Sequence, residues 1–321
     1  MAYEIEKQVA IAAALAAGQL CERVRNEISP EAIEKKDRSP VTIADFGSQA
    51  LICRALAEAF PNDPVVGEED AAELKQPELA ERLAQVTDYV GALAPDVTSD
   101  QVISWIDHGN GSVGPRYWTL DPIDGTKGFL RGDQYAVALA LVENGEVKVG
   151  VLVCPALQLE ADQPGLMFVA VRGEGTTMSA LDAQNTQTVK VVDSEHSPNL
   201  RFVESVESGH GDQAQQSAIA KAAGITQDSL RMDSQAKYGA VASGSAALYL
   251  RLPSPKSPDY REKIWDHAAG TIVVEEAGGR VTDMHGKPLD FSQGAKLVDN
   301  RGVIVSNGLI HDKVLAALQA L

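Results

Sequence analysis

Trp118-Thr-Leu-Asp121-Pro122-Ile123-Asp124-Gly125-Thr126-Lys127-Gly128 begins inside a short apolar strand, RYWTL from Arg116 to Leu120, and the chemistry starts where that strand ends. Pro122 fixes φ and removes an N–H, while Gly125 and Gly128 permit a tight turn. The carboxylates of Asp121 and Asp124 can therefore converge at the strand's end instead of alternating sides. Two hard oxygen ligands would then share one pocket, and magnesium suits such a pair together with the Ile123 carbonyl and retained waters. The backbone amides around Gly125 and Thr126 offer a cradle for a phosphate. Taken alone, the segment reads as well as a surface turn in which Asp caps neighbouring amides.

Working outward, Ile5, Val9, Ala13, Ala16, Leu20 and Val24 recur at three- and four-residue steps and predict a first helix up to a break near Ser29-Pro30. Phe46, Ala50, Cys53, Leu56 and Phe60 predict a second, with Asp45 at its N-terminus. Val65-Val66 reads as a short strand running into Gly67-Glu68-Glu69-Asp70, followed by a charged helix over roughly 70 to 85 and a loop-rich stretch from 88 to 115. Downstream, the β-rich runs 135–142, 147–153 and 166–171 are separated by Glu143-Asn144-Gly145 and Asp162-Gln163-Pro164-Gly165, so successive hairpins should form an antiparallel sheet. After a polar stretch near 180 to 198, the strand FVESV opens an alternation of helices and strands that predicts a second αβ layer. The expected division is an N-terminal α+β domain, 1–195, and a C-terminal αβ domain, 196–321.

With 321 residues, the chain is long enough for two domains at about 150 residues each. Its 44% hydrophobic content excludes disorder, and 28 basic against 45 acidic residues, a net charge of -17, opposes coating of nucleic acid or anionic membrane. Three scattered cysteines, Cys21, Cys53 and Cys154, make neither a disulfide framework nor a Cys-rich zinc site. Glu4 and Glu6 precede the apolar stretch 9–17 where a signal peptide would carry positive charge, and no run reaches the ~20 apolar residues of a membrane span. A cytoplasmic protein is expected.

Further carboxylates accompany the central segment. Glu68 and Glu69 can reach the same metal cluster or form a solvated acidic turn. Asp45 can take a proton from an attacking water, hold a metal through water, or simply cap its helix. Asp266, in Ile264-Trp265-Asp266-His267, fits an N-cap or a ligand aimed from a helix start.

Together, VTIADFGSQ, VVGEED, WTLDPIDGTKGF and IWDHAAG followed by VEEAGG resemble the magnesium-dependent, lithium-sensitive phosphomonoesterase superfamily that includes inositol monophosphatase and fructose 1,6-bisphosphatase. The motifs lie in family order between positions 41 and 279. DGTKGFLRGDQYAVALALVENG, DSQAKYGAVASGSAALYLRLP and EKIWDHAAG further resemble the 3'(2'),5'-bisphosphate nucleotidases of yeast and plant type. The resemblance implies a layered αβαβα sandwich, of α+β or α/β class, with two packed subdomains. It implies two or three Mg2+ ions held by Glu68, Asp121, Asp124, Asp266 and the Ile123 carbonyl, with Glu69 behind them. Asp45 and the Thr126 hydroxyl would orient and deprotonate the attacking water, with no phosphoenzyme. Ser234, Lys237 and Arg251 match contacts to the phosphate and ribose of an AMP moiety, and His210 matches a residue near adenine. An Arg there is chemically apt, because a second phosphate needs cations that the metal cluster does not supply.

The substrate so implied is adenosine 3',5'-bisphosphate, or its 5'-phosphosulfate counterpart, giving AMP and orthophosphate. An inositol polyphosphate 1-phosphatase or inositol monophosphatase of the same fold is the competing enzyme, and a non-catalytic acidic module is the reading from another class. The chain lacks the D-x-[DN]-x-[DN]-G loop of calcium hands, which weighs against the latter. The family includes monomers and dimers, so oligomeric state stays open.

Overall fold

The computed structural model describes residues 2–27, 33–34, 40–159, 165–182, 185–207, 212–254 and 257–320. Helix α1 (Glu4–Glu27) is followed by the small ladder β1 (Ile33–Glu34) and β2 (Pro40–Val41), then α2 (Ile43–Ala59) and β3 (Val65–Gly67). A 3-10 turn at Pro77–Leu79 leads into α3 (Ala80–Gly91) and α4 (Ser99–His108). Strand β4 (Arg116–Asp124) and short α5 (Thr126–Arg131) precede β5 (Ala136–Glu143), β6 (Glu146–Cys154), β7 (Leu166–Val171), β8 (Gly175–Ala180) and β9 (Gln187–Val189). The remainder is β10 (Phe202–Ser205), α6 (Gln213–Ala222), β11 (Leu230–Met232), α7 (Ala236–Ala242), β12 (Leu248–Arg251), α8 (Ala268–Glu276), β13 (Arg280–Thr282), β14 (Val303–Ser306) and α9 (His311–Gln319).

Strands β3 to β9 form one seven-stranded sheet in sequence order, antiparallel except for the β3–β4 pair. Its meander follows from local turns, as at Asn144-Gly145, where both residues take positive φ. The second, mixed sheet runs β11-β10-β12-β14-β13. Helices α1 and α2 cover one face of the first sheet, α7 and α8 lie between the sheets, and α6 and α9 cover the far face of the second. These are the five layers of an αβαβα sandwich. Strand β5 shows why a near-continuous apolar run serves here: Val137, Leu139 and Leu141 pack under α1 and α2, while Ala136, Ala138 and Ala140 face the α8 side.

Two expectations are corrected. The charged helix over 70 to 85 is instead α3, ten residues later, after the 3-10 turn. The stretch 88 to 115 is not loop-rich, since it holds the end of α3 and all of α4. Thr98 and Gln101 form a capping box that starts α4, and Val102 and Ile106 bury one apolar face. The turn at 162–165 lies largely outside the described residues.

Candidate active site

Strand β4 builds the centre of the site. Asp121 pairs with Ala138 and Asp124 with Ala136, so three steps on β4 match two on β5. In a regular strand, residues three apart face opposite ways. The irregularity at Pro122, which has no N–H to give the ladder, lets both carboxylates enter one cavity. Parallel pairing aligns Gly67 with Leu120, and the Glu68 amide donates to the Leu120 carbonyl at 3.1 Å. Glu68 thus emerges beside Asp121. Asp266 arrives from the second half of the chain, just before α8, and its neighbour His267 occupies the N-cap position.

These four acids share a cavity of about 260 Å³, also lined by Ile123, Gly125, Thr126, Ser234, Lys237 and Arg251. Burial, then the nearby charges of Glu68, Asp124 and Asp266, push the Asp121 carboxyl far above the usual range. Burial, then Asp124, Glu68 and Glu262, do the same to Asp266. Asp124 is also raised, chiefly by burial, although Lys237 opposes the shift. Carboxylates crowded to this degree, in an oxygen-only set with the Ile123 carbonyl alongside, have the donor chemistry that a hard cation takes. A second combination, Glu262, Asp266 and His267, offers ligand atoms within 4.8 Å of one another, but Glu262 and His267 already bond to Arg251 and Tyr238.

Asp45 is not the helix cap. Thr42 is, and Asp45 stands one turn in as the reciprocal member of a capping box, its Oδ2 accepting from the Thr42 amide at 2.7 Å and hydroxyl at 2.6 Å. The other carboxylate oxygen, Oδ1, lies 3.3 Å from the Thr126 hydroxyl, which is also 3.2 Å from the Ile123 carbonyl. Asp45 is fully buried, and Thr126 connects it to the cavity. Gly125 caps α5 at φ 86°, and a Cβ there would come within 2.9 Å of the Ser234 Cβ. Asp121 also accepts from the Ile123 amide at 3.1 Å, so the turn-capping role expected of it is present as well.

Glu69 is buried and its backbone is gripped by the Gln49 amide on both sides, through Glu69 N–H at 3.1 Å and a short bond to the Glu69 carbonyl. Ser234 takes a left-handed φ of 64° in the turn before α7. Lys237, only 3% exposed, donates to the Met232 carbonyl at 3.3 Å and lies 5.1 Å from the centre of the Tyr249 ring. Burial draws its pKa down to about 8, with Asp124 resisting. Arg251 ends β12 on the same wall. His210 lies outside the described residues.

Sequence reading missed Gln235, which joins the two halves of the site. Its amide N–H donates to Asp124 Oδ2 at 2.6 Å, its side chain donates to the Trp265 carbonyl at 2.9 Å, and its Oε1 accepts from the Gly270 amide at 3.0 Å. It thereby fixes Asp124 and the turn carrying Asp266 together. Glu262, His267 and Tyr238 were missed too, although the first two lie within the EKIWDHAAG motif.

Comparison with known proteins bears on the family and the fold. Residues 4–321 match the Inositol monophosphatase family. A 3'(2'),5'-bisphosphate nucleotidase of Schizosaccharomyces pombe is 44% identical, covering 100% of this chain and 97% of its own length. One from Oryza sativa is 42% identical, covering 99% and 94%. Among solved structures, the Thermotoga maritima IMPase superposes with a TM-score of 0.67 at 24% identity over 97% of this chain and 95% of its own, which speaks to the fold alone. With a family match over nearly its whole length and relatives above 40% identity, the chain belongs to the inositol monophosphatase family.

Proposed function

We propose that the protein is a magnesium-dependent phosphomonoesterase that removes the 3'-phosphate of adenosine 3',5'-bisphosphate, or of its 5'-phosphosulfate counterpart. One observation carries the reading: a single cavity brings the acids Glu68, Asp121, Asp124 and Asp266 together with two cations, Lys237, which is buried, and Arg251, which is partly buried. A substrate with two anionic groups fits such a site, one group at the metal-holding acids and the other at the cations. Relatives named for bisphosphate nucleotidase activity support the choice over an inositol phosphate.

Glu68, Asp121, Asp124, Asp266 and the Ile123 carbonyl would hold two or three Mg2+ ions. When bound, these ions neutralise phosphate charge and lower the pKa of water. The Thr126 hydroxyl donates to Asp45 Oδ1 and keeps lone pairs for a water proton, so the pair orients the nucleophile and Asp45 takes up its proton. The water oxygen bonds to phosphorus as the bond to the ribose 3'-oxygen breaks; the departing oxygen takes a proton from solvent water, and Asp45 then releases its proton to solvent. Gly125 and Thr126 amides face the phosphate, Glu69 supports Glu68, and Ser234, Lys237 and Arg251 hold the nucleotide's other end.

No helix among the described residues is long and apolar enough to cross a membrane. Free, buried Cys21, Cys53 and Cys154 fit a cytoplasmic setting. Phosphate release from adenosine 3',5'-bisphosphate, inositol 1-phosphate, inositol 1,4-bisphosphate and fructose 1,6-bisphosphate, with Mg2+ and then added Li+, tests the proposal. The nucleotide should lead in kcat/KM by orders of magnitude. A lead for an inositol phosphate would reject the nucleotide pocket and leave only the metal site.

A further inference from the structure

Behind the pocket's cationic wall runs a line of buried side chains that the reaction as described does not use. Glu262, 5% exposed, lies between β12 and α8, four residues before Asp266. Both of its carboxylate oxygens accept from Arg251 Nε, at 3.2 and 3.3 Å, and Oε2 is also 3.4 Å from His267 Nε2. His267 Nδ1 meets the Tyr238 hydroxyl at 2.7 Å. Arg251, Glu262, His267 and Tyr238 therefore form one connected chain along the cavity wall, joining the end of β12 to the starts of α8 and α7.

We infer that Glu262 is a positioning residue for recognition of the substrate's second phosphate: it grips Arg251 through Nε and so aims the guanidinium's terminal nitrogens at that phosphate. The inference rests on the function proposed above and adds the group that sets its selectivity. Nε is the inner edge of the guanidinium fork, so a carboxylate there leaves the outer donors for another acceptor. The Tyr260 hydroxyl takes one further bond from the same guanidinium. An unrestrained arginine in this cavity would instead be drawn toward the neighbouring acids, Asp266 first, which has an oxygen within 4.8 Å of Glu262's, and there it would compete with cations and leave the phosphate end. Glu262 prevents this, and its bond to His267 ties the position of Arg251 to the turn that carries Asp266. Burial disfavours the Arg251 charge, yet Glu262 first, with Tyr249, Asp266 and Tyr260, more than restores it, so the guanidinium stays ionised in place.

The test compares adenosine 3',5'-bisphosphate with adenosine 3'-phosphate, which lacks the second phosphate, using the full chain with Mg2+. The wild type should prefer the bisphosphate; absence of that preference would reject the functional reading itself, and the inference with it. Given the preference, Glu262→Gln should reduce the bisphosphate-to-monophosphate ratio of kcat/KM by about 10- to 100-fold, mainly through a higher KM for the bisphosphate. Combining Glu262→Gln with Arg251→Gln should cost little beyond Arg251→Gln alone, because the two act as a unit. Equal losses on both substrates, an unchanged ratio, or additive losses in the double variant would each overturn the inference while leaving the function standing. Should Glu262→Gln not fold, Glu262→Asp, with the same charge and a shorter reach, is measured in the same way and should shift the ratio in the same direction.

Discussion

Strand β4 carries acidic clusters at both of its ends, and they are resolved in opposite ways. At its start, Arg116 bonds Asp63 at 2.8 Å, Glu6 at 3.0 Å and Glu143, which also accepts from the Tyr3 hydroxyl. At its end, Asp121 and Asp124 meet Glu68 and Asp266, and the acids raise one another. The contrast shows in their protonation. Burial would raise Glu143, but the bonds from Tyr3 and Arg116 outweigh it and hold its carboxyl below the usual range, whereas Asp121 is driven far above it. A cluster that contains its own cation is finished architecture. A cluster whose carboxyls stay raised even with Lys237 and Arg251 nearby is suited to a further cation from outside.

The largest effect should come from removing a charge at the open end. Asp121→Asn should lower kcat/KM by about 10³-fold or more, since several kcal/mol of charge stabilisation depend on the ligand set. Its thermal stability in a chelator should nevertheless rise by about 1–3 °C, because repulsion is relieved. Wild-type protein should gain up to about 2.7 kcal/mol when Mg2+ is supplied at a hundred times its Kd, and the variant less. A calorimetric scan in which the chelated variant melts lower than wild type would break the comparison. Next in size, Asp45→Asn should reduce kcat about 10²- to 10⁴-fold with KM little changed. Because Asp45 also completes a capping box, it should cost about 0.5–2 kcal/mol of stability, which urea unfolding would register.

At the closed end the order of effects reverses. Arg116→Met leaves Glu6, Asp63 and Glu143 without their shared cation and should destabilise by about 2 kcal/mol, a value discounted for partial solvent access. Its kcat/KM at 25 °C should stay within about twofold of wild type. A strong loss of activity in a folded variant would show that the two ends of β4 are coupled.

The same comparison explains what was legible beforehand. Asp121-Pro122-Ile123-Asp124-Gly125 advertises its irregularity, because proline and glycine act on the backbone locally. Strands β5 to β7 were readable for the same reason, since turns such as Asn144-Gly145 fix hairpins within a few residues. Helix α4 was obscured by TSD and GNG at its borders, although Thr98 and Gln101 spelled its capping box. Thr42 and Asp45 spelled another, in which the threonine is the cap, a role the aspartate's position also allowed. What local signals could not reveal were the long-range ties: Gln235 to Asp124 across 111 positions, and Gln49 to Glu69 across 20. Such amides carry no charge pattern or spacing of their own, and only the layered topology brings them to their partners.

The smallest effect concerns a buried polar group whose needs are met without any ion. His311, at the start of α9, accepts from or donates to Ser306 Oγ at 2.8 Å through Nδ1 and Thr282 Oγ1 at 2.9 Å through Nε2. The Thr282 hydroxyl donates to the Asp283 carbonyl, so it must accept from Nε2–H, and Nδ1 is left as acceptor for Ser306. A second proton on the ring would face the Ser306 hydroxyl instead of a lone pair already aligned. Burial, then Arg280, accordingly lowers the pKa to about 4, against an opposing pull from Asp312. The unfolded chain, with its histidine near 6.5, binds more protons between pH 6.5 and 4, so stability must fall as pH falls through that window. The contribution is about 1–3 kcal/mol. Urea unfolding at pH 7 and pH 4.5 should show wild type losing about 1–2 kcal/mol more than His311→Gln between the two conditions. The pocket carboxylates titrate in both proteins and cancel in that difference. Equal losses would mean that His311 takes its proton without unfolding, and that a fully bonded neutral network tolerates charge as readily as the Arg116 cluster does.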